Sequence, residues 1–392
     1  MIYAFDVSDP DSPTYKWRAG CPNLGNDTGC AAGMTATGQT WSTPNVAFVK
    51  GYSTTAPVVI VGGGYDKCED ADTTSPSCTT PKGNIVYVLD GSNGSVLRSF
   101  ATERSVAADV ALVDVNYDGY VDYAYVADLG GNIYRIEFVG SPVTAAPLAK
   151  DAWSMRVVAY TNGAGRKFHY APSVLPSANK VYVALGSGDR ERPLQSNYPY
   201  TTPVTNRFYV YLDDLTASPA SKASAVNLDD LGAMANFSAA TSCIDTGVLP
   251  TSSKKGWFMD LASGTGEQTV TAAAIVGGMV AFSTNRPVPP VDGTCSSTLG
   301  EARGYWVNLL NASGTIGASG ICGGARSSVF VGGGLPPSPV VTTVLLNGKQ
   351  LTAVIGAAER AGAASGTIQA QRIPAPVNLK RHPIYWHQNV DN

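Results

Sequence analysis

One short strand text recurs along the chain and narrows the possible folds more than any other feature. Ile2-Tyr3-Ala4-Phe5-Asp6, Val86-Tyr87-Val88-Leu89-Asp90, Ile133-Tyr134-Arg135-Ile136, Phe208-Tyr209-Val210-Tyr211-Leu212-Asp213 and Gly304-Tyr305-Trp306-Val307 read as copies of one strand. Two copies run on into a turn and a further strand, at Gly91-Ser92-Asn93-Gly94 before 95–100 and at 7–13 before 15–17. Tyr87 and Tyr134 stand 47 residues apart, close to the length of one propeller blade. A strand that repeats in this way belongs to units that bury their faces on one another.

The text around these copies supplies the other strands of each unit. Residues 43–49, 58–61, 85–90 and 96–100 read as four short strands, with the polar insertion 64–82 between the second and third. A second set follows at 108–113, 121–127, 132–138 and 153–159, and a third begins at 170–175, 181–185 and 208–212. Strand text resumes at 256–261, 270–276, 279–283, 305–309, 329–331, 340–346 and 351–355, and the chain closes on Ile384-Tyr385-Trp386. Four strands in sequence make a blade, so the expected fold is an all-β propeller of four-stranded blades with long inter-strand insertions, a single domain over 1–392. A β-sandwich with long loops is the competing architecture, but it does not require one strand to recur. Within the irregular stretch 214–255, residues 226–234 read as a short helix. Tyrosine numbers 19, and several of them fall at alternating strand positions, which assigns these to the core and to packing between blades. Ring closure would require C-terminal strands to pair with residues 2–17.

Between the first two strands of the second unit lies Asp114-Val115-Asn116-Tyr117-Asp118-Gly119-Tyr120-Val121-Asp122. Oxygen-bearing side chains stand at relative positions 1, 3, 5 and 9, with Gly at position 6, which is the rhythm of an EF-hand calcium loop. Position 7 of such a loop gives its backbone carbonyl, here that of Tyr120. The metal-ligand set is therefore Asp114, Asn116, Asp118, Asp122 and the Tyr120 carbonyl, with Ca²⁺ as the ion, since a hard cation takes six to eight oxygens. Gly119 lets the chain turn where a Cβ would clash. Position 12 is Tyr125, not Glu, and the flanks read as strands, so this is an EF-hand-like loop in a β-hairpin with Asp122 in the closing role. An ordinary polar turn around Asp-Gly is the alternative.

Composition excludes several classes. Net charge is −3 and no run of Lys or Arg is present, which argues against nucleic acid as a partner. No apolar stretch reaches membrane-spanning length, and Met1-Ile2-Tyr3-Ala4-Phe5-Asp6 enters strand-like text without a signal peptide, as if cut from something longer. Of seven cysteines, Cys21/Cys30 and Cys68/Cys78 each enclose a short polar loop. They are expected to form two local disulfides, each worth about 2–3 kcal/mol, in an oxidising compartment. The odd count leaves at least one thiol free or paired outside the chain. No P-loop, Gly-x-Ser-x-Gly or Gly-x-Gly-x-x-Gly occurs, so an enzyme with a small-molecule substrate is not expected. The cluster Asp189-Arg190-Glu191-Arg192 reads as a salt-bridged surface turn.

The calcium stretch from Val113 to Asp122, followed by Asp128-Leu129-Gly130-Gly131-Asn132-Ile133-Tyr134-Arg135, resembles the PilY/PilC proteins of the type IV pilus tip. Trp41-Ser42-Thr43-Pro44, Gly186-Ser187-Gly188-Asp189-Arg190-Glu191 and Gly256-Trp257-Phe258-Met259-Asp260-Leu261 extend the resemblance over most of the chain. It implies a modified β-propeller that follows a variable adhesive region, of which this chain is the later part. It further implies a calcium-binding pilus biogenesis factor and adhesin that supports pilus extension, opposes retraction and attaches to host-cell or abiotic surfaces. Its partners would be minor pilins at the pilus tip, and its place the bacterial cell surface and outer membrane, reached through the periplasm. The Arg-Gly-Asp of some relatives is absent, since Gly188-Asp189-Arg190 is not that motif. Two other propeller classes compete with this reading. A quinoprotein-like dehydrogenase would need a vicinal Cys-Cys pair, which is missing, and an integrin-α-like propeller would repeat the calcium loop in several blades, whereas here it occurs once.

Overall fold

The computed structural model describes residues 1–71, 73–142, 146–162, 165–190, 204–239, 243, 247–288, 300–318, 322–330, 333–346, 349–356 and 369–372, with 341–356 and 369–372 described by backbone alone. Ile384-Tyr385-Trp386, Glu191, Arg192 and Cys295 lie outside the described residues.

The chain opens on a hairpin of β1 (Ile2–Asp6) and β2 (Thr14–Ala19). A sheet of β3 (Asn45–Ala47), β4 (Val58–Gly62), β5 (Ile85–Asp90) and β6 (Val96–Ala101) follows, antiparallel and in sequence order. The next sheet runs β7 (Ala111–Val113), β8 (Tyr123–Ala127), β9 (Asn132–Glu137) and β10 (Ser154–Tyr160). The third is built from β11 (Ser173–Ser177), β12 (Lys180–Gly186) and β13 (Arg207–Asp214). After them come the two-residue strands β14 (Val226–Asn227) and β15 (Ala235–Asn236), then β16 (Gly256–Asp260), which completes the third sheet. β17 (Gln268–Thr269), β18 (Ala274–Val276), β19 (Met279–Arg286), β20 (Glu301–Asn308) and β21 (Ser327–Val329) form the fourth. β22 (Val340–Leu346), β23 (Lys349–Gly356) and β24 (Gln369–Arg372) form a last antiparallel sheet.

Two additions depart from the four-strand expectation. β14 lies parallel to β10 and β15 parallel to β16, so the insertion between β13 and β16 extends two neighbouring sheets. The helix read at 226–234 does not form. Side chains there compete for the backbone: Asp229 N–H donates to Asn227 Oδ1, and Gly232 N–H to Asp230 Oδ1. The segment closes in a single turn, in which the N–H groups of Ala233 and Met234 donate to the Asp230 carbonyl.

The central strands are apolar without interruption because each feeds two cores. In β8, Tyr123, Tyr125 and Ala127 pack toward β12 and β13, while Ala124 and Val126 pack toward β4 and β5. In β13, Tyr209 and Tyr211 face back to β8, and Phe208, Val210 and Leu212 face forward to β19 and β20. Successive side chains point to opposite faces of a strand, so one apolar run lines both sides of a blade.

The recurring tyrosine follows the same rule. Tyr87 is 1% exposed, Tyr134 3%, Tyr209 0% and Tyr305 6%, whereas Tyr3 in β1 is 53% exposed. β1–β2 packs one face, through Trp17 and Ala19, on Val59, Val61, Tyr87 and Leu89. The other face carries Tyr3, Phe5 and Tyr15, all exposed, with the Phe5 and Tyr15 rings edge to face at 6.0 Å. Among the described residues β1 and β2 pair only with each other, so the expected pairing with C-terminal strands is not seen there.

Both local disulfides, Cys21–Cys30 and Cys68–Cys78, are present, and a third joins Cys243 to Cys322. The third spans 79 residues and ties the insertion after β13 to the connection between β20 and β21 in the fourth sheet. Its closed loop is the longest of the three, worth about 4.5 kcal/mol in the loop-entropy model.

Candidate metal centre

The nine-residue loop bridges β7 and β8 at the β7 edge of the second sheet. Its base is fixed: Asp122 N–H donates to the Val113 carbonyl at 2.9 Å, and Phe138 N–H donates to the Asp122 carbonyl at 2.9 Å. Side chains then wind the loop about themselves. Asp114 Oδ2 accepts from Gly119 N–H at 2.8 Å and its Oδ1 from Asp118 N–H at 3.3 Å. Asn116 Oδ1 accepts from Asp118 N–H at 3.0 Å, and Asp118 Oδ1 from Tyr120 N–H at 3.0 Å. Asp122 Oδ2 accepts from Val115 N–H at 2.9 Å, closing the ring from position 9 back to position 2.

Gly119 has φ +88° and open space where a Cβ would point, so the backbone angle and not crowding requires glycine there. Tyr117 also takes a left-handed φ, +58°, at the exposed tip. Tyr125, at position 12, turns away from the loop; it is buried in the core and its hydroxyl donates to Asp213 Oδ2 at 2.6 Å. Asp122 is the buried member of the three loop acids, 3% exposed. Burial pushes its carboxyl above the usual carboxylate range despite the Val115 N–H, and the charges of Asp114 and Asp118 add to the push.

The carboxylates of Asp114, Asp118 and Asp122 act on one another electrostatically but their oxygens do not converge within 4.8 Å; in kind, an all-oxygen set of this sort suits a hard divalent cation. Each carboxylate oxygen engaged by an N–H keeps a second lone pair for a metal. A cation already stands at the rim: Lys50 Nζ lies 3.5 Å from Asp118 Oδ2 and 5.6 Å above the Tyr120 ring. Nothing in the linear spacing of the loop marks Lys50; it arrives because Val121 N–H donates to the Phe48 carbonyl of the neighbouring sheet. Among the described residues, the acid, thiol or imidazole side chains whose ligand atoms converge within 4.8 Å are Cys21, Asp27 and Cys30, and two of these are joined in a disulfide.

Asp189, expected on a surface turn, is instead 6% exposed. The buried ammonium of Lys167 lies 3.1 Å from Asp189 Oδ2 and also donates to the Glu69 carbonyl at 3.0 Å. Glu69, buried in the insertion closed by Cys68–Cys78, takes Arg104 as its own partner at 2.8 Å. This cluster clamps the first sheet's insertion to the third sheet. Arg190, beside it, lies over the Tyr170 ring at 5.8 Å. A cavity of about 330 Å³ opens next to the clamp between the two disulfide loops, lined by Tyr65, Asp66, Lys67 and the Asp27–Lys82 pair.

Residues 1–191 match the family model of the PilY1 beta-propeller domain. The type IV pilus biogenesis factor PilY1 of Pseudomonas aeruginosa (strain UCBPP-PA14) is 27% identical over 145 residues, which span 36% of this chain and 10% of that protein. The crystal structure of the Pseudomonas aeruginosa PilY1 C-terminal domain superposes with TM-score 0.63 at 16% identity, covering 91% of this chain and 76% of that one. A quinohemoprotein alcohol dehydrogenase from Pseudomonas putida HK5 superposes at only 0.32, with 13% identity over 81% of this chain and 40% of that one, and bears on neither fold nor chemistry. Successive antiparallel sheets stacked face to face, matched across nine-tenths of the chain, define a modified β-propeller. In its first half the chain resembles the PilY/PilC family, and its fold is that of the PilY1 C-terminal domain.

Proposed function

We propose that this chain is a calcium-binding propeller of a type IV pilus biogenesis factor, acting at the cell surface without catalysing a reaction. In this reading Ca²⁺ is held by Asp114, Asn116, Asp118, Asp122 and the Tyr120 carbonyl, and supports a state that favours pilus extension over retraction and surface attachment. Minor pilins at the pilus tip are the partners this role requires. The observation that carries the reading is the buried Asp122 carboxylate, within the electrostatic reach of Asp114 and Asp118 on a loop with calcium-ligand spacing, in a stretch that matches the PilY1 beta-propeller family model.

The test is calcium titration by calorimetry on the folded, metal-free chain and on Asp122→Ala, with magnesium as control. One-site binding that the variant loses and magnesium does not reproduce supports the site; absence of binding to the unsubstituted chain removes it. Piliation and retraction assays on the same variant then separate two roles. A regulatory ion predicts lost piliation with a near-normal melting temperature, and a purely structural ion predicts a lowered melting temperature with piliation kept.

A further inference from the structure

We propose that Lys50 is a built-in competitor for the metal loop, an affinity-setting residue supplied by the neighbouring sheet; this rests on the calcium reading above. Its ammonium is the cation that faces Asp118 Oδ2, at 3.5 Å, and it lies over the ring of Tyr120, whose carbonyl is an assigned ligand. The backbone beneath it is held in place. Val121 N–H donates to the Phe48 carbonyl at 2.9 Å, and the N–H groups of Tyr52 and Ser53 donate to the Val49 carbonyl at 2.9 and 3.1 Å. Lys50 therefore reaches the loop by its flexible stem from a fixed base.

An ion coordinated at 2.3–2.6 Å by Asp118 carries two positive charges into the space the ammonium borders. The two cations repel, so loading the loop releases Lys50, and every binding event includes the loss of that ion pair. The half-exposed Lys50 side chain sets the size of the effect, because surface ion pairs are weak. Removing the lysine should tighten calcium binding by about two- to fivefold. It also links the second sheet to the first, since occupancy of the loop decides where a side chain of the first sheet lies.

Calorimetric calcium titration of the unsubstituted chain, Lys50→Met and Lys50→Arg tests this, together with amine-labelling of Lys50 read by mass spectrometry. Expected are a dissociation constant about two- to fivefold lower for Lys50→Met, a value near the original for Lys50→Arg, and faster labelling of Lys50 when calcium is present. Equal affinity in all three chains with unchanged labelling overturns the role of Lys50 while leaving the calcium site standing. No binding by any of them overturns both.

Discussion

Lys167 and Asp189 form a buried ion pair, 3.1 Å from Nζ to Oδ2, that joins the third sheet to the disulfide-closed insertion of the first through the Glu69 carbonyl. Breaking such a pair strands the surviving charge. Asp189→Ala should therefore cost about 3–5 kcal/mol in a denaturant titration. Replacing both partners by apolar residues, as in Lys167→Met with Asp189→Leu, should recover a large part of that loss.

Calcium should appear as stability as well as heat. At a free concentration one hundred times the dissociation constant, the unsubstituted chain should gain about 2.7 kcal/mol. Asp122→Ala should gain none. A thermal scan with and without calcium reads this, and an equal gain in the variant would place the ion elsewhere.

Asp229 should contribute to acid sensitivity. Burial opposes its ionisation, but the Asn162 N–H, Arg166, Tyr209 and Arg207 outweigh that and hold its carboxyl below 3.8. With the folded value depressed, the unfolded chain binds more protons in this range, so the stabilisation is complete above 3.8 and is lost as pH falls through the folded value. Asp229→Asn should be less stable near neutrality by about 3–5 kcal/mol, because buried Arg166, 3.0 Å away, loses this carboxylate and Arg207 is left with Asp260. Its denaturation curves should also change less between pH 5 and pH 3 than those of the parent.

The repeated tyrosine makes an internal comparison. Tyr87→Ala removes a fully buried ring and should cost about 3–5 kcal/mol. Tyr3→Ala, at the matching place in β1, removes an exposed one and should cost less than about 1 kcal/mol. Similar losses at both sites would show that the β1 face is covered in solution.

How much of this was readable in advance follows from what each feature depends on. β5 fell at the expected residues because a strand buried on both faces is an apolar run bounded by Asp and Gly. β7 was read as 108–113 and covers Ala111–Val113, since apolar text does not tell a paired strand from the buried chain leading into it. β14, β15 and the Cys243–Cys322 bond depend on where a long insertion lands, which local pattern does not carry. The loop acids were legible because their spacing is local. The burial of Asp189 was not, because its partner Lys167 and the Glu69 carbonyl come from distant parts of the chain.

Feeding two cores from one strand changes what holds a sheet in register. In a strand with one wet face, a slip of one residue exposes apolar side chains and is rejected on polarity. A slip in β8 would instead exchange Tyr123 and Tyr125 with Ala124 and Val126, apolar for apolar, so rejection must come from volume: rings forced where a methyl fits, and voids where rings stood. The acids at its two ends, Asp122 and Asp128, both buried and hydrogen-bonded, act as stops that tolerate no displacement. The acidic loop 114–122 is thus anchored to a strand whose position is set by side-chain size, and a change of ring volume in β8 would be felt at Asp122 before it was felt at the surface.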